Sequence, residues 1–270
     1  MSLVNTNWLK ENLDKVKIID CSWHMPQTKR NGFDEYKVKH IESAIFFDLD
    51  ENSKKNTDLH HMLPDTKSWK DIVSNMGIKN DEQIVIYDNS DVISSCRCWY
   101  NFIYFGHNPE LVHVLDGGLK KWIKEDRATT SDIIKIIHSN YTVREKKELV
   151  KNINQINKNI LENKFNVIDA RSLERFEGKV PEPRKGLRSG SIKNSFCLPF
   201  SELINQDHTF ISKDKIHEKF KSTGYEADKN IVFTCGSGVT ASVLALAYSL
   251  IDNKYMPNIY DGSWSEYGKN

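Results

Sequence analysis

The segment Thr234-Cys235-Gly236-Ser237-Gly238-Val239-Thr240-Ala241 has the densest chemical content in the chain. Its cysteine follows the continuously apolar or β-branched run Ile231–Thr234, two glycines let the backbone turn tightly, and the apolar stretch Thr240–Ile251 begins just beyond. This order predicts strand, loop and buried helix. In such a unit the N–H groups of the loop and first helical turn converge on one spot, and the helix dipole adds positive potential there. A thiol at that spot favours the thiolate, which is both ligand and nucleophile. An isolated Cys-Gly pair is more often a buried thiol beside a turn; the surrounding pattern argues for reactivity. Two chemistries use such a cysteine, phosphoryl transfer and sulfur transfer. Phosphoryl transfer needs an arginine six positions on, to clamp a dianion in a bidentate way. Here Ala241 stands at that position, Ser242 follows, and the loop holds no cation. What is left is a neutral cradle around a cysteine that carries sulfur as a persulfide.

The elements that must position this loop recur. Val16–Asp20 resembles Phe165–Asp169, Gln83–Asp88 resembles Asn230–Cys235, and Leu115–Trp122 resembles Tyr260–Tyr267. Each copy alternates short apolar strands with helical stretches, and Ile84–Tyr87 and Ile231–Thr234 read as strands buried on both faces. The expected class is α/β, two similar domains, each a parallel sheet flanked by helices on both faces. The limits read as 1–124 for the first domain, 125–159 for a connector rich in Lys, Asn, Glu and Ser, and 160–270 for the second. A weak helical pattern from Leu149 to Leu161 leads into the second copy.

Composition narrows the partners. Lys plus Arg number 38 and Asp plus Glu 37, a formal net charge of +1. That balance supplies no broad field for nucleic acid or an anionic membrane. No apolar run approaches the length of a membrane span, and Met1–Leu13 lacks the apolar core of a signal peptide, so a cytoplasmic setting is expected. The five cysteines are an odd number and, in a reducing compartment, thiols. Cys96 and Cys98, two apart on an expected helix, point about 200° from each other and cannot share one ion. Cys21 and Cys197 read as core thiols. No metal-ligand spacing appears, and neither metal nor cofactor is expected.

The loop Cys235–Ala241 resembles that of 3-mercaptopyruvate sulfurtransferases, tandem-rhodanese proteins whose second domain carries the catalytic cysteine. Supporting stretches span almost the whole chain: His60-His-Met-Leu-Pro64, Leu115–Gly118, Arg175–Gly178 with Pro181-Glu-Pro-Arg184, Asn194–Phe200 and Tyr260–Trp264. The resemblance implies a silent first domain, since Asp88 stands where Cys235 stands in the second, and a first domain that helps form an interdomain cleft. It implies Arg175 and Arg184, in a loop after the strand ending at Asp169, as the arginines that hold the donor's carboxylate and ketone. Arg171 and Arg188 are left as structural or background charge. Gly236, Gly238, Val239 and Thr240 are assigned to the N–H cradle, with Ser237 as a hydrogen-bond partner or proton relay.

Some members of the family use a first-domain histidine and aspartate with the loop serine. His40-Ile-Glu-Ser-Ala44 aligns with the usual His-Ile-Pro-Gly-Ala and so offers His40, although Arg30-Asn31-Gly32 replaces the expected acid; a histidine that fixes the turn is the alternative. The implied acceptor is a thiol, such as thioredoxin or a low-molecular-weight thiol, or cyanide. Two other readings stay open, a thiosulfate:cyanide sulfurtransferase and a persulfide carrier that relays sulfur to another protein. Thiosulfate-preferring relatives usually carry basic residues in the loop, so the neutral Gly236-Ser237 favours mercaptopyruvate.

Overall fold

The computed structural model describes residues 2–269. The chain forms two compact units: the first comprises residues up to Lys55, Leu63–Lys146 and Gln206–Phe210, and the second Asn56–Met62, Lys147–Asn205 and the chain from Ile211 on. Each unit therefore takes in a short segment from the other half of the sequence.

In the first unit five parallel strands, β1 (Leu3–Val4), β2 (Lys17–Asp20), β3 (Ala44–Phe46), β4 (Ile84–Tyr87) and β5 (Val112–Leu115), lie in the order β1-β5-β4-β2-β3. The second unit repeats this with β6 (Val150–Lys151), β7 (Asn166–Asp169), β8 (Phe196–Cys197), β9 (Ile231–Thr234) and β10 (Ile259–Tyr260), ordered β6-β10-β9-β7-β8. β4 and β9 are interior strands, buried at every residue, as their unbroken apolar character requires. Helices cover both sheets: α1 (Thr6–Glu11), α2 (Gly32–Val38), α3 (Thr66–Asn75), α4 (Ser95–Tyr104) and α5 (Gly118–Lys124) in the first unit. The second has α6 (Ile153–Glu162), α7 (Leu173–Phe176), α8 (Lys213–Ser222), α9 (Val239–Ile251) and α10 (Ser263–Tyr267).

The core of each unit packs around the same positions. Ile18, Val85, Leu115 and Leu119 do this in the first, and Val167, Val232, Tyr260 and Trp264 in the second. α9 buries Val243 through Ala247 completely, which fits its lack of a polar face.

The stretch expected as a connector over 125–159 divides between the units. Up to Lys146 it runs along the first, where Thr130 bridges His40, Tyr141 is fully buried and Arg144 N–H bonds the Phe105 carbonyl. Beyond it, Val150 and Lys151 pair with Ile259 and Tyr260, and α6 opens on a capping box between Asn152 and Gln155. Among the described residues no helix is long and apolar enough to cross a membrane.

Candidate active site

β9 delivers Cys235 to the carboxyl edge of the second sheet, where the chain turns before α9 begins. Gly238 makes the turn with φ 83°, a left-handed conformation costly for a residue with a Cβ. Its N–H then points at Cys235 Sγ, 3.1 Å away. Val239 and Thr240 open α9, so their N–H groups belong to the first turn, which has no intrahelical acceptors. Cys235 is 2% exposed.

The loop is held from behind by α10. Ser263 Oγ accepts from Cys235 N–H at 3.3 Å, Trp264 N–H donates to the Cys235 carbonyl at 2.9 Å, and Ser265 donates to the Gly236 carbonyl through both N–H and Oγ–H. These contacts explain why Asp261-Gly-Ser-Trp-Ser265 follows the last strand directly. These bonds occupy both loop carbonyls, while the Gly238 N–H is given to the sulfur.

Two guanidinium groups converge over Gly236. A Cβ on this residue would lie 3.3 Å from Arg184 Nη1, a tight contact, and 3.5 Å from Arg175 Nη2, an ordinary one. Arg175 is on the single helical turn α7 rather than in a loop, because Ser172 and the left-handed Gly178 bracket that turn. Glu182 aims it, accepting from Arg175 Nε at 3.2 Å and Nη2 at 2.5 Å. Arg171 lies behind, fully enclosed, bonded to Asp169, Glu182 and the Gly190 carbonyl and stacked 4.2 Å from the Trp264 ring centre. Burial alone would depress its pKa, but the two carboxylates reverse this and raise it.

Ser237 is buried beside Arg184. Arg184 Nη2 donates to its Oγ at 3.2 Å, and His61 Nδ1 lies 2.8 Å from that oxygen. With the guanidinium donating to one lone pair, the serine hydroxyl can still exchange a hydrogen bond with the imidazole, in the direction that the His61 tautomer sets. His61, in a left-handed conformation with φ 58°, is 4% exposed.

His40 has the turn-fixing role. It is fully buried in the first unit and stacks 4.0 Å from the ring of Tyr36. Its Nδ1 lies 2.6 Å from the Tyr36 carbonyl and its Nε2 3.3 Å from the Asp132 carbonyl. Both ring nitrogens face carbonyls of the first unit, so the expectation that His40 partners the loop serine is corrected: the histidine beside Ser237 is His61. Glu182 and His61 are the two residues that reading by motif passed over, although both sit inside stretches singled out for their neighbours. Cys21, Cys96 and Cys98 are fully enclosed, whereas Cys197, in β8, is only half-buried, its thiol pushed up to about 12 by burial. Among the described residues no group of three or more His, Cys, Asp or Glu is arranged to hold a metal ion.

A duplicated parallel sheet with a cysteine loop at one carboxyl edge defines a tandem sulfur-handling fold. The Rhodanese-like domain model matches residues 5–125 and again 146–270. The chain belongs to the rhodanese-like family. It is 37% identical to thiosulfate/3-mercaptopyruvate sulfurtransferase 1, mitochondrial, of Arabidopsis thaliana, over 98% of this chain and 75% of that one. It is 32% identical to the 3-mercaptopyruvate sulfurtransferase of Homo sapiens, over 98% and 91%. The crystal structure of SseA from Escherichia coli, a 3-mercaptopyruvate sulfotransferase, superimposes with a TM-score of 0.88 at 31% identity, covering 98% of this chain and all of that one.

Proposed function

We propose that this protein is a 3-mercaptopyruvate sulfurtransferase and that Cys235 is its sulfur carrier. The Cys235 thiolate attacks the donor's sulfur, the carbon–sulfur bond breaks, and the electron pair leaves as the enolate of pyruvate. Arg175 and Arg184 hold the donor's carboxylate and ketone, for which a planar fork of donors is suited. Ser237 with His61 delivers the proton that turns the enolate into pyruvate. The N–H groups of Gly236 through Thr240 stabilise the anionic sulfur. A thiol acceptor then takes the outer sulfur and returns Cys235 to the thiol, in a ping-pong cycle. We place the reaction in the cytoplasm, where thiols stay reduced.

The observation that carries this reading is the meeting of two guanidinium groups over Gly236 beside a sulfur that accepts the Gly238 N–H. A small monoanionic donor matches it. Incubation with 3-mercaptopyruvate is expected to add one sulfur atom to Cys235 by mass spectrometry; a label elsewhere, or none, overturns the assignment. The ratio of kcat/KM for 3-mercaptopyruvate and thiosulfate, expected to favour the former, decides between the two donors.

The first copy we read as catalytically silent. Asp88 occupies the cysteine's position with a carboxylate that cannot accept sulfur.

A further inference from the structure

Beside the Cys235 loop, and wholly within the second unit, runs a groove of about 500 Å³. Two of its wall residues also touch the loop: Arg184 donates to Ser237 Oγ and Ser265 to the Gly236 carbonyl. The rest of its polar lining is Asp58, His60, Lys185 and Lys269. Lys269 pairs with Asp58 at 3.1 Å, which holds that carboxyl below its usual range. The groove thus carries three fixed positive charges against one negative. Its volume is larger than a three-carbon keto acid needs and lies in the range of drug-sized ligands.

From this groove we infer the class of acceptor: a thiol bearing carboxylates, steered and oriented by Lys185 and Lys269 toward the persulfide. The inference rests on the sulfur-transfer reading given above. In the step it describes, the acceptor thiolate attacks the outer sulfur of Cys235–S–SH, the sulfur–sulfur bond breaks, and the products are RS–SH and the Cys235 thiolate. Once pyruvate has departed, Arg184 can meet an acceptor carboxylate as it met the donor's. Arg175 is not among the groove's wall residues, whereas Lys185 and Lys269 are. They are specificity-determining residues for the second half-reaction.

The test separates the two half-reactions in the full chain. Protein is loaded with 3-mercaptopyruvate, the persulfide on Cys235 is counted by mass spectrometry, and second-order rate constants for sulfur removal are measured with mercaptosuccinate, 2-mercaptoethanol and cysteamine. Comparing each variant with the unsubstituted protein for one thiol at a time cancels differences in thiol basicity. Lys185→Ala and Lys269→Ala are each expected to slow mercaptosuccinate about twofold to fivefold, and the double variant by about tenfold. The neutral and cationic thiols should change by less than about twofold, and Lys→Arg variants should restore the mercaptosuccinate rate. Raising ionic strength should erode only the anionic preference. Normal persulfide with equal slowing of all three thiols, or of none, overturns the acceptor inference alone. Failure of the unsubstituted chain to form the persulfide overturns the sulfur-transfer reading, and the acceptor inference with it.

Discussion

The two copies share one topology but treat the same edge of the sheet in opposite ways. In the second, the strand end presents a sulfur to an N–H group, with guanidinium groups above the loop. In the first, the Asp88 carboxylate takes the N–H groups of Ser90 and Ser95 for itself, each at 2.8 Å. Burial, opposed by these bonds, raises its pKa. Lys120 reaches over it to Asp91 and to His208 Nε2, leaving a cavity of about 10 Å³, room for one water. In the first copy the anion cradle is filled by its own side chain.

The parallel extends to the histidines. His208 follows His61 by the same interval that separates Cys235 from Asp88 and Ser237 from Ser90, and both histidines are left-handed, with φ 63° and 58°. Each sits on the segment that its unit takes from the other half of the chain. In the first copy, however, Ser90 Oγ–H bonds the Trp23 carbonyl and His208 bonds Lys120. The serine–histidine contact is kept only in the copy that holds Cys235.

The largest effect that can break this contrast is at the nucleophile. Cys235→Ser should cut turnover at least about a thousandfold. Adding Asp88→Cys to that variant should restore nothing, because Lys120 and the closed pocket remain. Any sulfur on residue 88 by mass spectrometry would make the first copy competent.

Next comes the charge behind the loop. Asp20 and Asp169 end equivalent strands, but two residues later stands Ser22 in one copy and Arg171 in the other. Arg171→Ser would strand Asp169 as a buried carboxylate and take from Glu182 one of its two arginines, loosening the residue that aims Arg175. A loss of about 3–5 kcal/mol in urea unfolding is expected, against under about 1 kcal/mol for Ser22→Ala.

A smaller effect separates the histidines. His61→Ala should lower kcat about tenfold to a hundredfold and alter its pH profile, whereas His208→Ala should leave both unchanged. If the two variants behave alike, the serine–histidine pair is structural in both copies.

How much of this was legible in the sequence follows from what kind of interaction each feature uses. β4 and β9 announce themselves because a strand buried on both faces must be apolar at every position, and α9 because a helix without a polar face has only the interior to go to. Cys235 stood out because its strand, loop and helix surroundings point to a reactive thiol, whereas Arg175 and Arg184, ordinary surface arginines by themselves, were legible only through the family resemblance. Glu182 did not, since its role is to hold another residue and a carboxylate between two prolines has no pattern. His61 was hidden for a topological reason: it lies 176 residues from Ser237 and reaches it on a segment that leaves its own half. His40, by contrast, sits in a familiar-looking motif, yet its ring is spent on two carbonyls.

The finest test of the comparison is the pH dependence of stability. Burial, opposed by hydrogen bonds from Ser22, raises Asp20 to about 7. Unfolded, this carboxyl returns to its ordinary value near 3.8. Between these values the native state holds a proton that the unfolded chain has lost, so the contribution of Asp20 falls as pH rises. It is fully present below about pH 4, decreases by about 1.4 kcal/mol per pH unit, and is gone above about pH 7. Asp20→Asn, which keeps an acceptor for Ser22 without the charge, should flatten that slope and raise stability at pH 7 relative to pH 4. Urea unfolding of both proteins at several pH values measures it. An unchanged slope would mean that Asp20 is ionised in the folded protein, and that the first copy neutralises its strand-end carboxylate as the second does with Arg171.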